Sequence, residues 1–221
     1  MENKGDRKNT ILLTVIGIAT LLVAIVGATF AYFSAQVTYS DSNSTLTIVS
    51  ASGGSSTYQG GDSITVENIY PRTDPWVQKA IRITYGNSNT NLDYDYQLTL
   101  SYQNTFASGY LTYTLTPIPD DHATGVCLQD GSKTDSTACG ADLVKSTDNG
   151  DLLDTTSGSL NYTAGATATI VLGQGTFEPT QANETAAHVY LLTISFPNAA
   201  GNQNDAQGKV MTASVLYDEV H

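Results

Sequence analysis

The amino-acid sequence predicts an all-β chain, an antiparallel β-sandwich of jelly-roll-like form behind an N-terminal hydrophobic signal or anchor helix. Three observations predict it. Residues Ile11 to Phe33 form an uncharged apolar run, and the remainder of the 221 residues is polar, Thr-rich and acidic. Several later segments alternate apolar and polar residues with a period of two, the pattern of a strand with one buried and one wet face. Gly and Asn clusters separate those segments, and no stretch after Tyr39 shows a convincing helical period.

The apolar run comes first. Lys4, Arg7 and Lys8 precede it and supply the positive end of a secretory signal, diluted by Glu2 and Asp6. A run of this length also spans a bilayer, which takes a helix of about 20 residues. Removal and retention as a single-pass anchor therefore both stand, and either way the positive end holds Met1 to Asn9 in the cytoplasm. Thr29 and Ala31 are small residues at −3 and −1 of a cut between Ala31 and Tyr32, and Val26-Gly27-Ala28 is a second candidate. A type IV pilin carries a Glu five residues into its mature chain, where a cut after Gly5 would put Thr10. Residues 1–31 are thus signal peptide or anchor, residues 32–43 an N-terminal extension, and residues 44–221 the sandwich. A mature chain of about 190 residues can bury one sizeable core.

The strands follow in order. Tyr32 to Tyr39 sets Phe33, Ala35, Val37 and Tyr39 on one side and Ser34, Gln36 and Thr38 on the other. Weaker strands are expected at Ser44–Ser50, Ser63–Ile69 and Val77–Tyr85. Leu92 to Tyr102 alternates without a break, with Leu92, Tyr94, Tyr96, Leu98, Leu100 and Tyr102 on one face. Tyr110 to Thr116 turns Leu111, Tyr113 and Leu115 inward. After a weaker strand at Ala166–Leu172, Gly173-Gln174-Gly175 reads as a turn. His188, Tyr190, Leu192, Ile194 and Phe196 line one face of a strand whose other face carries Val189 and Leu191; apolar on both sides, it belongs in the middle of a sheet. His188 itself reads as an edge-of-core residue. Lys209–Tyr217 closes the domain. The 13 Tyr read mostly as half-buried strand residues with solvated hydroxyls.

Nine basic and 21 acidic residues give a net charge of −12. Cutting after Ala31 removes three bases and two acids, leaving −13. Such a chain repels nucleic acid and anionic lipid, so nucleic acid is not expected as a partner and membrane contact is confined to residues 11–33. No cofactor is expected. Acidic loops are the weak candidates for Ca²⁺: Asp120-Asp121-His122, Asp130 to Asp135, and Asp148 with Asp151 and Asp154. The last has oxygens and a Gly but lacks the EF-hand spacing, and solvated loops are the plainer reading. Zn²⁺ hydrolysis asks for three ligands and an open position, whereas the chain has only His122, His188 and His221 and no H-E-x-x-H. Cys127 and Cys139, the only two cysteines, are expected to pair in an oxidising compartment, pinning a long surface excursion clear of the core strands.

Around the end of the run, VAIVGATFAYFSAQ resembles the signal-peptide boundary of the camelysin/TasA family of Gram-positive surface proteins. The closing HVYLLTISFP, the polar turn Asn198 to Asn204, Gln207-Gly208-Lys209 and the last strand are similar to the closing hairpin of that family. Gly86 to Gly158 carries no such match. The resemblance implies cleavage by a dedicated SipW-type signal peptidase between Ala31 and Tyr32, and a secreted β-sandwich. It also implies fibres in which the N-terminal segment of one subunit completes the sheet of the next, with Phe33, Ala35, Val37 and Tyr39 on the donated strand. Camelysin-like proteins have been grouped with metallopeptidases, so the resemblance raises that activity too.

The expected function is that of a secreted cell-surface structural protein of a Gram-positive-type bacterium, a fibre-forming or envelope-coating subunit whose partners are other copies of itself. A secreted metal-dependent peptidase and a membrane-anchored adhesin or pilin-like subunit are the alternatives. The residues themselves leave open whether Tyr32–Tyr39 is donated or is the first strand of its own domain.

Overall fold

A computed structural model describes residues 13–23, 39–40, 46–49, 54–87, 93–128, 131–134, 139–147, 150–181, 183–198 and 203–220. The chain divides into two compact units, Met1–Val37 and Thr38–His221. In the first, residues 13–23 form a helix with Leu13, Val15, Ile16, Ile18, Leu21, Leu22 and Val23 all more than half exposed. No helix among the described residues is long and apolar enough to cross a membrane.

The second unit is an antiparallel β-sandwich. Its strands are β1 (Tyr39–Ser40), β2 (Leu46–Val49), β3 (Gly54–Gln59), β4 (Ile64–Glu67), β5 (Val77–Asn87), β6 (Tyr94–Asn104), β7 (Leu111–Pro117), β8 (Val126–Cys127), β9 (Leu143–Val144), β10 (Gly150–Asp151), β11 (Thr156–Leu160), β12 (Ala168–Phe177), β13 (Thr185–Ser195) and β14 (Val210–Val220). One sheet, called A here, runs β1-β14-β6-β12-β10, with β4 also on β14; sheet B runs β11-β7-β13-β5-β3-β2; β8 and β9 pair by themselves. Tyr39–Ser40 thus joins the sandwich's own sheet from within the N-terminal extension.

The alternation seen in the sequence fills the core. Tyr94, Tyr96, Leu98, Leu100 and Tyr102 of β6 face Leu111, Tyr113 and Leu115 of β7 and Tyr190, Leu192 and Ile194 of β13 in one cluster. Each large apolar side chain so buried contributes about 1.5–3 kcal/mol. β13 is central, between β7 and β5. Asn104, buried at the end of β6, donates to the carbonyls of Leu160 and Asn161 and accepts from the Phe106 amide. One side chain thereby ties the segments at 106 and 160–161 to the end of the core.

Several expectations are corrected. β3 and β11 were not legible, because GSSTYQ and TSGSL carry too few apolar residues to mark a face. β12 does not stop at Leu172. It continues through Gly173-Gln174-Gly175 to Phe177, with a bulge between Val171 and Gly173. Nor is the cysteine excursion clear of the core strands. Ile118, Val126, Ala80 and Val189 form a second buried cluster, with Val144 and Leu191 against it. Two backbone bonds and one side-chain bond stitch the excursion to central β13: Ile118 N–H to Val189 O (2.8 Å), Thr147 N–H to Ala187 O (2.8 Å), and Val189 N–H to Ser146 Oγ (2.9 Å). The outer apolar face of β13, unusual for a sheet facing water, needs this cover.

Candidate functional site

Two features of the sandwich bear on function: the margins of sheet A and a seam of hydroxyls between the sheets.

The margins differ. On the outer side of β14, β4 pairs with residues 210–213 and β1 pairs Tyr39 with Tyr217 and Ser40 with Leu216. On the opposite side of the sheet, β12 is met by β10 only at Thr176 and Phe177. Residues 168–175 of β12 have no strand outside them among the described residues. Such an edge presents N–H and C=O groups to any extended chain. β12 contains no charged residue and no Pro, and Val171 on it is 56% exposed.

The seam runs between the sheets. Tyr94 Oη lies 2.8 Å from both Ser56 Oγ and Tyr217 Oη. Tyr96 Oη lies 2.6 Å from His188 Nδ1 and 2.5 Å from Tyr190 Oη, which accepts the Leu153 N–H at 3.1 Å. The hydroxyls of these tyrosines are therefore paired in the core, not solvated as the sequence suggested. Burial raises the phenol pKa of Tyr94, Tyr96 and Tyr217, and that of Tyr190 to about 12. His188 is no edge residue. It is 1% exposed, stacks on Phe177 at 3.9 Å between ring centroids, and burial lowers its pKa to about 4. A neutral imidazole, sealed from solvent and bonded through Nδ1, serves neither as a general base nor as a metal ligand for an outside substrate.

The predicted site residues fall as follows. Cys127 and Cys139 form a disulfide with a Cα–Cα distance of 5.4 Å. Tyr39 lies in β1. Ala31, Tyr32, Phe33, Ala35 and Val37 lie outside the described residues, as do Asp148 and His221. Asp151 and Asp154 are exposed. Among the described residues no three His, Cys, Asp or Glu side chains gather as metal ligands would. His122 is exposed and bonds the Thr124 carbonyl. Sequence reading missed Ser56, because β3 was missed, and it missed the pairing of Tyr96 with His188, which are 92 residues apart.

No protein-family model and no curated protein matches the chain. Among solved structures it is similar to the enzymatically active domain of tailspike protein 4 of bacteriophage CBA120. That likeness has 10% identity and a TM-score of 0.25 and covers 78% of this chain; the chain spans 20% of the other's length. A likeness of that size carries no argument about function.

Proposed function

We propose that this is a secreted cell-surface structural protein, a fibre-forming or envelope-coating subunit that joins to copies of itself by donor-strand exchange. The supporting observation is the asymmetry of sheet A. The N-terminal strand lies at one margin, on β14, and the unpaired edge of β12 lies at the other. The open edge, residues 168–175, has eight residues, and the segment Tyr32–Thr38 ahead of β1 has seven. In this reading the N-terminal segment of one subunit pairs with β12 of the next, Phe33 and Val37 pack against the neighbour's core, and its backbone groups satisfy the edge. Donor and acceptor are different surfaces, so the contact is heterologous and propagates into filaments. A net charge of −13 keeps other approaches unfavourable, while β12 is uncharged. Removal of residues 1–31 frees the donor, and a disulfide suits an extracellular setting.

The test uses secreted, processed protein and negative-stain microscopy. Deleting Tyr32–Thr38, which leaves β1 in place, or placing charges on the acceptor edge with Thr169→Lys and Val171→Lys together, should leave a folded monomer that forms no fibres. Fibres that persist in both variants would sink the reading, and unfolding of the deletion variant would show that the segment belongs to its own sheet.

A further inference from the structure

The hydrogen-bond chain through the seam has one arrangement that leaves the fewest groups unpaired, and its far end holds a surface strap. Leu153 N–H donates to Tyr190 Oη, which leaves the Tyr190 O–H to donate to Tyr96 Oη at 2.5 Å. The Tyr96 O–H then donates to His188 Nδ1 at 2.6 Å. Nδ1 is the acceptor, and the imidazole proton sits on Nε2, the one donor of this hydrogen-bond chain that is buried without a partner.

The strap is residues 150–154, which leave β10 at the rim of sheet A and cross to β11 in sheet B. Its anchor is Leu153, 2% exposed. The side chain of Leu153 lies where β12 has Gly173 and Gly175: a Cβ added at either would come within 2.9 Å of it, and at Gly175 also within 2.5 Å of Tyr96 Oη. Two glycines in one strand thus make room for the strap's leucine and the tyrosine hydroxyl together. On the other side the strap holds to sheet A by only two residue pairs, Gly150 with Phe177 and Asp151 with Thr176.

We propose that His188 is the proton sensor of an acid-operated latch, whose protonation releases the strap 150–154 from the sandwich while the two sheets stay folded. With a proton on Nδ1, the imidazolium must donate to Tyr96, so the Tyr96 O–H turns to Tyr190. Tyr190 then accepts from Tyr96 and Leu153, and its own O–H has no acceptor. Protonation thus adds a buried charge and a second unsatisfied donor, the Tyr190 O–H, to the unpaired Nε2–H, which a dry core does not tolerate. Releasing the strap lets water reach Tyr190 and Tyr96, because the Leu153 amide bonds Tyr190 Oη and its side chain lies with Tyr96 Oη against Gly175.

Among the described residues, the groups facing the imidazole are Tyr96 from β6, Tyr190 from β13 and the Phe177 ring from β12, with Tyr217 of β14 behind Tyr96. From β5, Ile83 and Tyr85 point inward beside it. The strap's own Asp151 and Asp154 are exposed, and burial is the sole cause of the lowered basicity of His188. No carboxylate holds the proton on the ring in the closed state. The folded pKa, about 4, lies below the ordinary 6.5, so closure is fully favoured above pH 6.5 and is lost as pH falls toward 4. If the ring regains its ordinary pKa once the strap opens, the open population rises about thirtyfold between pH 7.5 and pH 5.

Hydrogen exchange read by mass spectrometry on the full chain in detergent tests this, after correction for the pH dependence of intrinsic exchange. Peptides covering 150–154 should gain about thirtyfold in exchange from pH 7.5 to pH 5, while peptides from the middle of β6 and β13 do not change. His188→Gln should flatten that gain, since its amide accepts from Tyr96 without titrating. Tyr190→Phe, which removes the acceptor of the Leu153 amide, should raise exchange of the strap already at pH 7.5. An undiminished gain in His188→Gln would overturn the proposal, as would parallel loosening of β6 and β13. Should His188→Gln fail to fold, the His188 imidazole resonance of the wild-type chain decides. A midpoint coincident with that of strap exchange supports the latch, and a midpoint displaced by more than one pH unit refutes it.

Discussion

Tyr94 shows at the scale of one residue how the core differs from an oily one. Its hydroxyl bridges Ser56 and Tyr217, both fully buried, while its ring stacks on Tyr85 at 4.7 Å between centroids. Hydroxyls this deep are stabilising only as a set, because a removed partner leaves the others desolvated and unpaired. Tyr94→Phe keeps the ring and removes the bridge. It should cost about 1–3 kcal/mol, read as a lower urea midpoint at unchanged slope. Tyr70 is a useful contrast. It is 62% exposed, with its ring edge on Trp76, and Tyr70→Phe should stay within about 0.5 kcal/mol. The sequence places both tyrosines among strands or turns but says nothing of where their hydroxyls end, since the partners of Tyr94 lie 38 and 123 residues away.

Among the elements, the cysteine excursion is the one whose role changes most between sequence and structure. Composition makes residues 118–147 a polar loop, yet the excursion covers the outer face of β13. Gly131 shows how close the approach is. A Cβ there would lie 2.6 Å from Leu191 Cδ1 and 2.9 Å from the Gln78 carbonyl oxygen. Gly131→Val should therefore lift this segment and destabilise by about 1–3 kcal/mol through overpacking, measured by chemical denaturation. Replacing Cys127 and Cys139 together by Ser should remove about 3 kcal/mol, as expected for a short closed loop. A matching thermal shift in the oxidised protein on adding reductant checks it. Strand legibility follows the same logic. β6 and β7 face water on one side and alternate cleanly, whereas β12 hid its second half because Gly173 and Gly175, chosen to admit Leu153 and Tyr96, look like turn residues in one dimension.

For the whole molecule, the arrangement of sheet A matters more than any single strand, since its two margins would be the joining surfaces of the proposed filament. That proposal requires a free N-terminus, and the expected mature chain begins at Tyr32. Mass spectrometry of the native extracted protein checks this: the intact mass should correspond to residues 32–221, and Ala31→Asp should leave the precursor in the membrane fraction. Recovery of residues 1–31 in the working protein would return the anchored reading.

Taken alone, the sequence determined the β class, the central place of β13 and the inward faces of β6, β7 and β13. Each is a local property, written in a period of two or in a run apolar on both faces. Tertiary structure alone decided which strands pair, that no other described strand lies outside β12 along residues 168–175, that the disulfide excursion seals β13, and that His188 meets Tyr96. Those facts depend on contacts between residues far apart in the chain, and periodicity within a segment cannot encode which distant segment will come to lie beside it.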